Sequence, residues 1–101
     1  MNLGVIIQAR MGSTRLPGKI LLPFNGEITL LDFILDKLHK IPTARVVVAT
    51  TDNPRDDSLV RYLLNKGELV CRGSETDVLD RFICAAECHN IDSIYYWGIF
   101  N

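Results

Sequence analysis

Leu3-Gly4-Val5-Ile6-Ile7-Gln8 is a short apolar run, rich in β-branched side chains, that gives way to a polar, glycine-containing stretch from Ala9 to Lys19. A run of this length and composition reads as a strand buried on both faces. Arg45 to Thr50 (Arg-Val-Val-Val-Ala-Thr) has the same continuous apolar character and reads as a second strand. Glu68 to Cys71 supplies a short third strand, and Ser93 to Trp97 a fourth.

Helical patterns separate these strands. Leu30, Leu31, Ile34, Leu35, Leu38 and Ile41 form one apolar stripe, with Asp32, Asp36, Lys37 and Lys40 on the other side. Thr29 and Asp32 have the spacing of a capping box, so a helix is expected from about Leu30 to Lys40, ended by Pro42. Asn53 before Pro54 is an N-cap with proline at the first helical position. Leu59, Val60, Leu63 and Leu64 then make the expected buried face, and Gly67 the C-terminal stop. Ser74 and Asp77 open a third helix whose inward residues are expected to be Val78, Leu79, Phe82, Ile83 and Ala86. The resulting β-α-β-α-β-α-β order predicts an α/β fold, a parallel sheet with helices packed on both faces. Such sheets bind ligands beyond the carboxyl ends of their strands, where strand order reverses. The loops leaving the strands at Ala9, Thr51 and Arg72 all lie at that edge and are the candidate site.

With 101 residues the chain is one small domain, and a net charge of −1 points to no general nucleic-acid or membrane surface. There is no run of 18 apolar residues for a membrane helix. Arg10 and Arg15 interrupt the start where a signal peptide would continue its apolar core, so a cytoplasmic protein is expected. The three cysteines, Cys71, Cys84 and Cys88, are expected to be reduced. Cys84 and Cys88 sit four apart on the third helix with His89 next. Buried small side chains are favoured there over a metal site, which needs a fourth ligand at suitable spacing.

Ala9-Arg10-Met11-Gly12-Ser13-Thr14-Arg15-Leu16-Pro17-Gly18-Lys19 has the chemistry of a phosphate loop. Gly12 and Gly18 let the backbone approach an anion closely. Arg10 and Arg15 offer bidentate forks, and Lys19 a mobile point charge. The dinucleotide pattern G-x-G-x-x-G is absent, and five residues separate Gly12 from Gly18 where the P-loop requires four. The structural alternative is an ordinary solvated basic loop.

This loop resembles the N-terminal signature of the sugar cytidylyltransferases, which include the acylneuraminate and 3-deoxy-manno-octulosonate enzymes. The similarity is strongest to the branch named after spore coat polysaccharide biosynthesis proteins. Val47 to Pro54, the pair Asp56-Asp57, and Arg72 to Phe82 carry it further, from about Val5 to Ala86. The resemblance implies a Rossmann-like nucleotide-diphospho-sugar transferase fold, of which this chain would be the N-terminal half. It implies transfer of CMP from CTP to a sugar acid or related sugar, with loss of pyrophosphate and with Mg²⁺ as cofactor. A homodimer is a further expectation, aided by the aromatic end Tyr95 to Phe100.

Carried over by motif position, Arg10, Gly12, Ser13, Arg15 and Lys19 would hold the triphosphate, with Arg10 and Lys19 the catalytic cations. Ala9 and Arg10 backbone groups would seat the cytosine, Thr50 and Thr51 would lie near base and ribose, and Ser74, Asp77 and Arg81 would border the pocket. Structural roles compete for several of these. Asp52, Asp56 and Asp57 suit a helix start, Ser74 and Asp77 a helix cap, and Arg81 a surface ion pair with Asp77. His39, near a helix end, has a solvated role. The family's metal-binding aspartate follows the fourth strand in a Gly-Asp-x-Pro-like segment, whereas no acid follows Asp92 here. A nucleotide-binding fragment without turnover is therefore an alternative. Others are a nucleotidyltransferase using another nucleotide, and a purely structural protein.

Overall fold

Strand β1, Leu3–Ala9, is central: β4 (Arg45–Thr51) pairs with it on one side and β6 (Ser93–Phe100) on the other. The computed structural model describes residues 3–11, 23–25 and 28–100, with side chains for 3–11 and 31–92. In the four-stranded sheet, β5 (Leu69–Gly73) flanks β4, giving the order β5-β4-β1-β6, and all pairs are parallel. Helices α1 (Leu30–Leu38), α2 (Asp57–Asn65) and α3 (Val78–Cys88) make the crossovers. A small antiparallel pair, β2 (Pro23–Asn25) with β3 (Ile28–Thr29), precedes α1 and had no signal in the hydrophobic pattern.

Strand side chains alternate between faces, and two cores follow. Val5, Ile7, Ala9, Val46 and Val48 pack against Leu31 and Leu35 of α1 and Leu59 and Leu63 of α2. Ile6, Val47, Ala49 and Cys71 pack on the opposite face with Ala85 of α3 and Ile91. Helices thus cover both faces, which is why β1 and β4 read as continuous apolar runs rather than alternating ones. Each fully buried Val, Leu or Ile contributes about 2 kcal/mol. Burial, and then hydrogen bonds with the Cys84 and Cys88 thiols, raise the Cys71 thiol pKa above its ordinary value.

The expected inward face of α3 is corrected. Val78, Leu79 and Ile83 are exposed, while Arg81 and Ala85 are the buried positions and Phe82 and Ala86 are half-buried. An apolar count assigned the stripe to the aliphatic side chains, but α3 is turned so that Arg81 meets the end of β1. Leu64 is likewise exposed, lying about 100° round α2 from Leu63. Asn53 does cap, its side chain accepting from Arg55 N at 2.9 Å, but the turn it opens is a 3₁₀ turn, Pro54–Asp56, before α2 begins. The exposed His39 pairs with Glu68 at 2.8 Å. No helix among the described residues is long and apolar enough to cross a membrane.

Gly67 ends α2 as expected. Its φ is 79°, its N–H donates to Leu64 O at 3.0 Å, and Glu68 N donates to Leu63 O at 3.0 Å, the paired bonds of a Schellman motif. A Cβ at Gly67 meets nothing within 4 Å, so Gly67→Ala isolates the backbone term. It is expected to lower unfolding free energy by about 1 kcal/mol, and Gly67→Asn by less, in equilibrium urea denaturation.

Candidate functional site

Parallel strands deliver β1, β4 and β5 to one edge, where Ala9, Thr51 and Gly73 are the last strand residues. The order reverses between β1 and β6, so β1 adjoins the position that such sheets use for ligands. The exits of β1 and β4 are tied together by one carboxylate. The 3₁₀ turn places Asp56 at 0% exposure, where it accepts from Met11 N at 2.7 Å and from the Thr51 hydroxyl. Thr51 Oγ1 in turn accepts from Asn53 N at 3.2 Å. Arg72 closes the other side, donating from Nε to Thr51 O at 2.8 Å and from a terminal nitrogen to Asn53 O at 3.0 Å, with Asp57 Oδ1 at 2.9 Å.

Arg81 is the second organising group. It is only 4% exposed, which corrects the expected surface pair with Asp77. Its Nε donates to Gln8 Oε1 at 3.1 Å, and one terminal nitrogen donates to Ser74 O at 3.0 Å and Glu75 O at 2.9 Å. Gln8 completes the link by donating to Val78 O at 3.2 Å. A glycine suits the end of β5, because a Cβ on Gly73 would lie tightly, at 3.2 Å, against both Cα and Cγ of Arg81. Burial lowers the Arg81 pKa most, and the positive charge of Arg10 lowers it further; Asp56, Asp77 and Glu75 oppose the shift. Arg10 and Arg81 thus feel each other's positive charge at the end of β1.

Of the residues expected at the site, Ala9, Arg10, Thr51 and Arg81 gather at this edge. Thr50 is also fully buried there, and its Oγ1 has no hydrogen-bond partner among the described residues. Ser74 and Asp77 are occupied as caps: Asp77 Oδ1 accepts from Asp80 N at 3.0 Å, and Ser74 Oγ accepts from Asp77 N at 3.2 Å. Gly12, Ser13, Arg15 and Lys19 lie outside the described residues. Gln8 and Asp56 were missed as site-forming residues, while Arg72 was expected only as the start of a site loop. Gln8, a polar residue closing an apolar strand, carried a signal; Asp56 was masked by its suitability for a helix start.

Among the described residues, no three acids at this edge converge on one point. Asp56 is held by Met11 and Thr51, Asp57 by Arg72, Glu75 by Arg55 at 2.6 Å, and Asp77 by the start of α3. The one group of three potential ligands that converges among the described residues is Cys71, Cys84 and Cys88, between α3 and β5. A cleft of about 470 Å³ lined by Arg45, Glu87, Asn90 and Asp92 belongs to the opposite, amino-terminal edge of the sheet.

The family model described as Cytidylyltransferase matches residues 4–97. The spore coat polysaccharide biosynthesis protein SpsF of Bacillus subtilis is 45% identical over 87 residues, covering 81% of this chain and 36% of that protein. A 3-deoxy-manno-octulosonate cytidylyltransferase of Aeromonas salmonicida is 35% identical over 75 residues, 74% of this chain and 29% of the relative. A solved structure of a cytidylyltransferase from Leptospira borgpetersenii serovar Hardjo-bovis is similar with a TM-score of 0.85 at 44% identity, covering 97% of this chain and 41% of that one. The chain therefore spans less than half the length of these relatives.

Asp56→Ala leaves the Met11 N–H and the Thr51 hydroxyl without their acceptor, and each buried unmet group costs about 1–3 kcal/mol. The variant is expected to lose about 3 kcal/mol in urea denaturation, and Asp56→Asn, which keeps an acceptor, distinctly less.

Proposed function

Because the chain belongs to the cytidylyltransferase family, we propose that it binds CTP at the carboxyl edge of β1 and serves transfer of CMP to a sugar acid or related sugar in polysaccharide synthesis. The names of its relatives, a spore coat polysaccharide protein and 3-deoxy-manno-octulosonate cytidylyltransferases, support the acceptor class. The observation that carries the reading is the buried Arg81, hydrogen-bonded to Gln8 at the end of β1 where the chain passes into Arg10.

In the proposed arrangement Arg10, Ser13, Arg15 and Lys19, with the Gly12 backbone, hold the triphosphate. Ala9 and Arg10 backbone groups seat the cytosine. Attack of an acceptor oxygen on the α-phosphorus breaks the bond to the leaving pyrophosphate, and charge builds on the phosphoryl oxygens. Fixed cations stabilise that charge without moving in the step. Arg81 acts chiefly through Gln8 and the β5–α3 loop, fixing the wall beside Arg10. Thr50 offers a buried hydroxyl without a hydrogen-bond partner among the described residues, so a ligand that supplies one gains from it.

Mg²⁺ accompanies the triphosphate in this proposal; no three of the described acids converge to hold it, and no step is assigned to it. Their engagement by protein partners favours a second reading, in which these residues alone bind nucleotide without turnover.

The test is calorimetric titration of the folded chain with CTP and with ATP, each with and without Mg²⁺. CTP is expected to bind in preference to ATP. Arg10→Ala and Lys19→Ala are each expected to weaken binding about tenfold or more, the worth of a charged hydrogen bond. Thr50→Val is expected to leave stability unchanged or improved while reducing affinity. Absence of CTP binding by a chain shown folded by circular dichroism would overturn the proposal.

A further inference from the structure

Cys71 lies in β5, two residues before the strand ends, and points to the face covered by α3. Cys84 and Cys88 are one helical turn apart on α3 and project to the same side. Their sulfurs close a triangle with Cys71–Cys84 at 3.0 Å, Cys71–Cys88 at 3.2 Å and Cys84–Cys88 at 3.8 Å. Core packing accounts for a buried cysteine, but not for three thiols from two elements directed at one point. The trio is also graded in access: Cys71 is buried, Cys84 half-buried and Cys88 exposed.

A tetrahedral Zn²⁺ with Zn–S bonds of about 2.3 Å sets its sulfurs about 3.8 Å apart. The Cys84–Cys88 edge already has that length, and the two edges to Cys71 reach it by lengthening less than about 1 Å. A disulfide satisfies only two of the three sulfurs and needs an oxidant. His89, next along the chain, is engaged elsewhere, Nε2 donating to Val70 O at 3.1 Å, so the trio presents three ligands and a fourth position toward solvent at Cys88.

We propose that Cys71, Cys84 and Cys88 form a three-thiolate site for Zn²⁺, completed by water, that staples α3 to β5. Binding exchanges protons for metal: three thiols and one Zn²⁺ give a tris-thiolate complex of net charge −1 and release three protons to solvent. The site is separate from the proposed nucleotide site but bears on it mechanically, since α3 also carries Arg81.

The test titrates the reduced chain with Co²⁺, a spectroscopic stand-in for Zn²⁺, and follows thiolate-to-metal charge-transfer and ligand-field absorption, then displacement by Zn²⁺. One ion per chain, with the intense visible bands of tetrahedral Co²⁺ and an upward shift of the melting temperature with Zn²⁺, is the expected result. Cys84→Ser and Cys88→Ser remove ligands at half-buried and exposed positions, so both are expected to fold, as circular dichroism would verify. Each should weaken metal binding at least tenfold. The proposal is overturned if the reduced, folded chain shows no charge-transfer band, or if the two variants bind Co²⁺ as the parent does.

Discussion

A guanidinium taken almost wholly out of water must be met by oxygen atoms, and the edge of this sheet is arranged around that requirement. Arg81 stands on a helix that packs on the opposite face from α1 and α2, yet its side chain reaches the last turn of chain before the basic loop. It finds one oxygen on the Gln8 side chain of β1 and two on the backbone between β5 and α3. Removing any of these leaves a buried charge short of a partner, a fault worth several kcal/mol in proteins. The requirement fixes the rotation of α3, the absence of a side chain at Gly73 and the place where β1 hands over to Arg10.

Asp56 does for the other side of β1 what Arg81 does for the first. One buried carboxylate joins a backbone N–H just beyond β1 to a hydroxyl at the end of β4, so these two strand ends at the candidate site are held together. The two groups have opposite charge and sit on opposite flanks, and Asp56 is among the acids that offset the cost of burying Arg81. Preorganisation of this kind is what electrostatic catalysis of phosphoryl transfer asks of a protein, since cations that already stand in place lose nothing when charge develops.

The sheet was legible because it rests on patterns confined to neighbouring residues. Runs such as Val46-Val47-Val48-Ala49 announce a strand covered on both sides, and Gly67 announces a helix end, whatever lies elsewhere in the chain. The rotation of α3 was not legible, because it is set by a single polar contact between residues far apart in sequence, against the preference of Val78, Leu79 and Ile83 for burial. Asp56 shows the same limit from another side. An acid after Asn53-Pro54 satisfies the local rule for a helix start, and only the fold reveals that its carboxylate has been taken up by β1 and β4. The convergence of Cys71 with Cys84 and Cys88 was hidden for the same reason: the spacing of two cysteines on a helix is local, and the arrival of the third from a strand is not.

The position of β1 has a consequence for how this chain reaches its fold. β1 is an inner strand of the sheet, and its partners lie far along the chain: Gly4 pairs with Arg45, and Leu3 with Ser93. Its pairing with β6 therefore closes a far longer stretch of chain than its pairing with β4. Parallel pairings separated by such lengths of chain are slow to form and leave sticky surface exposed in the interval.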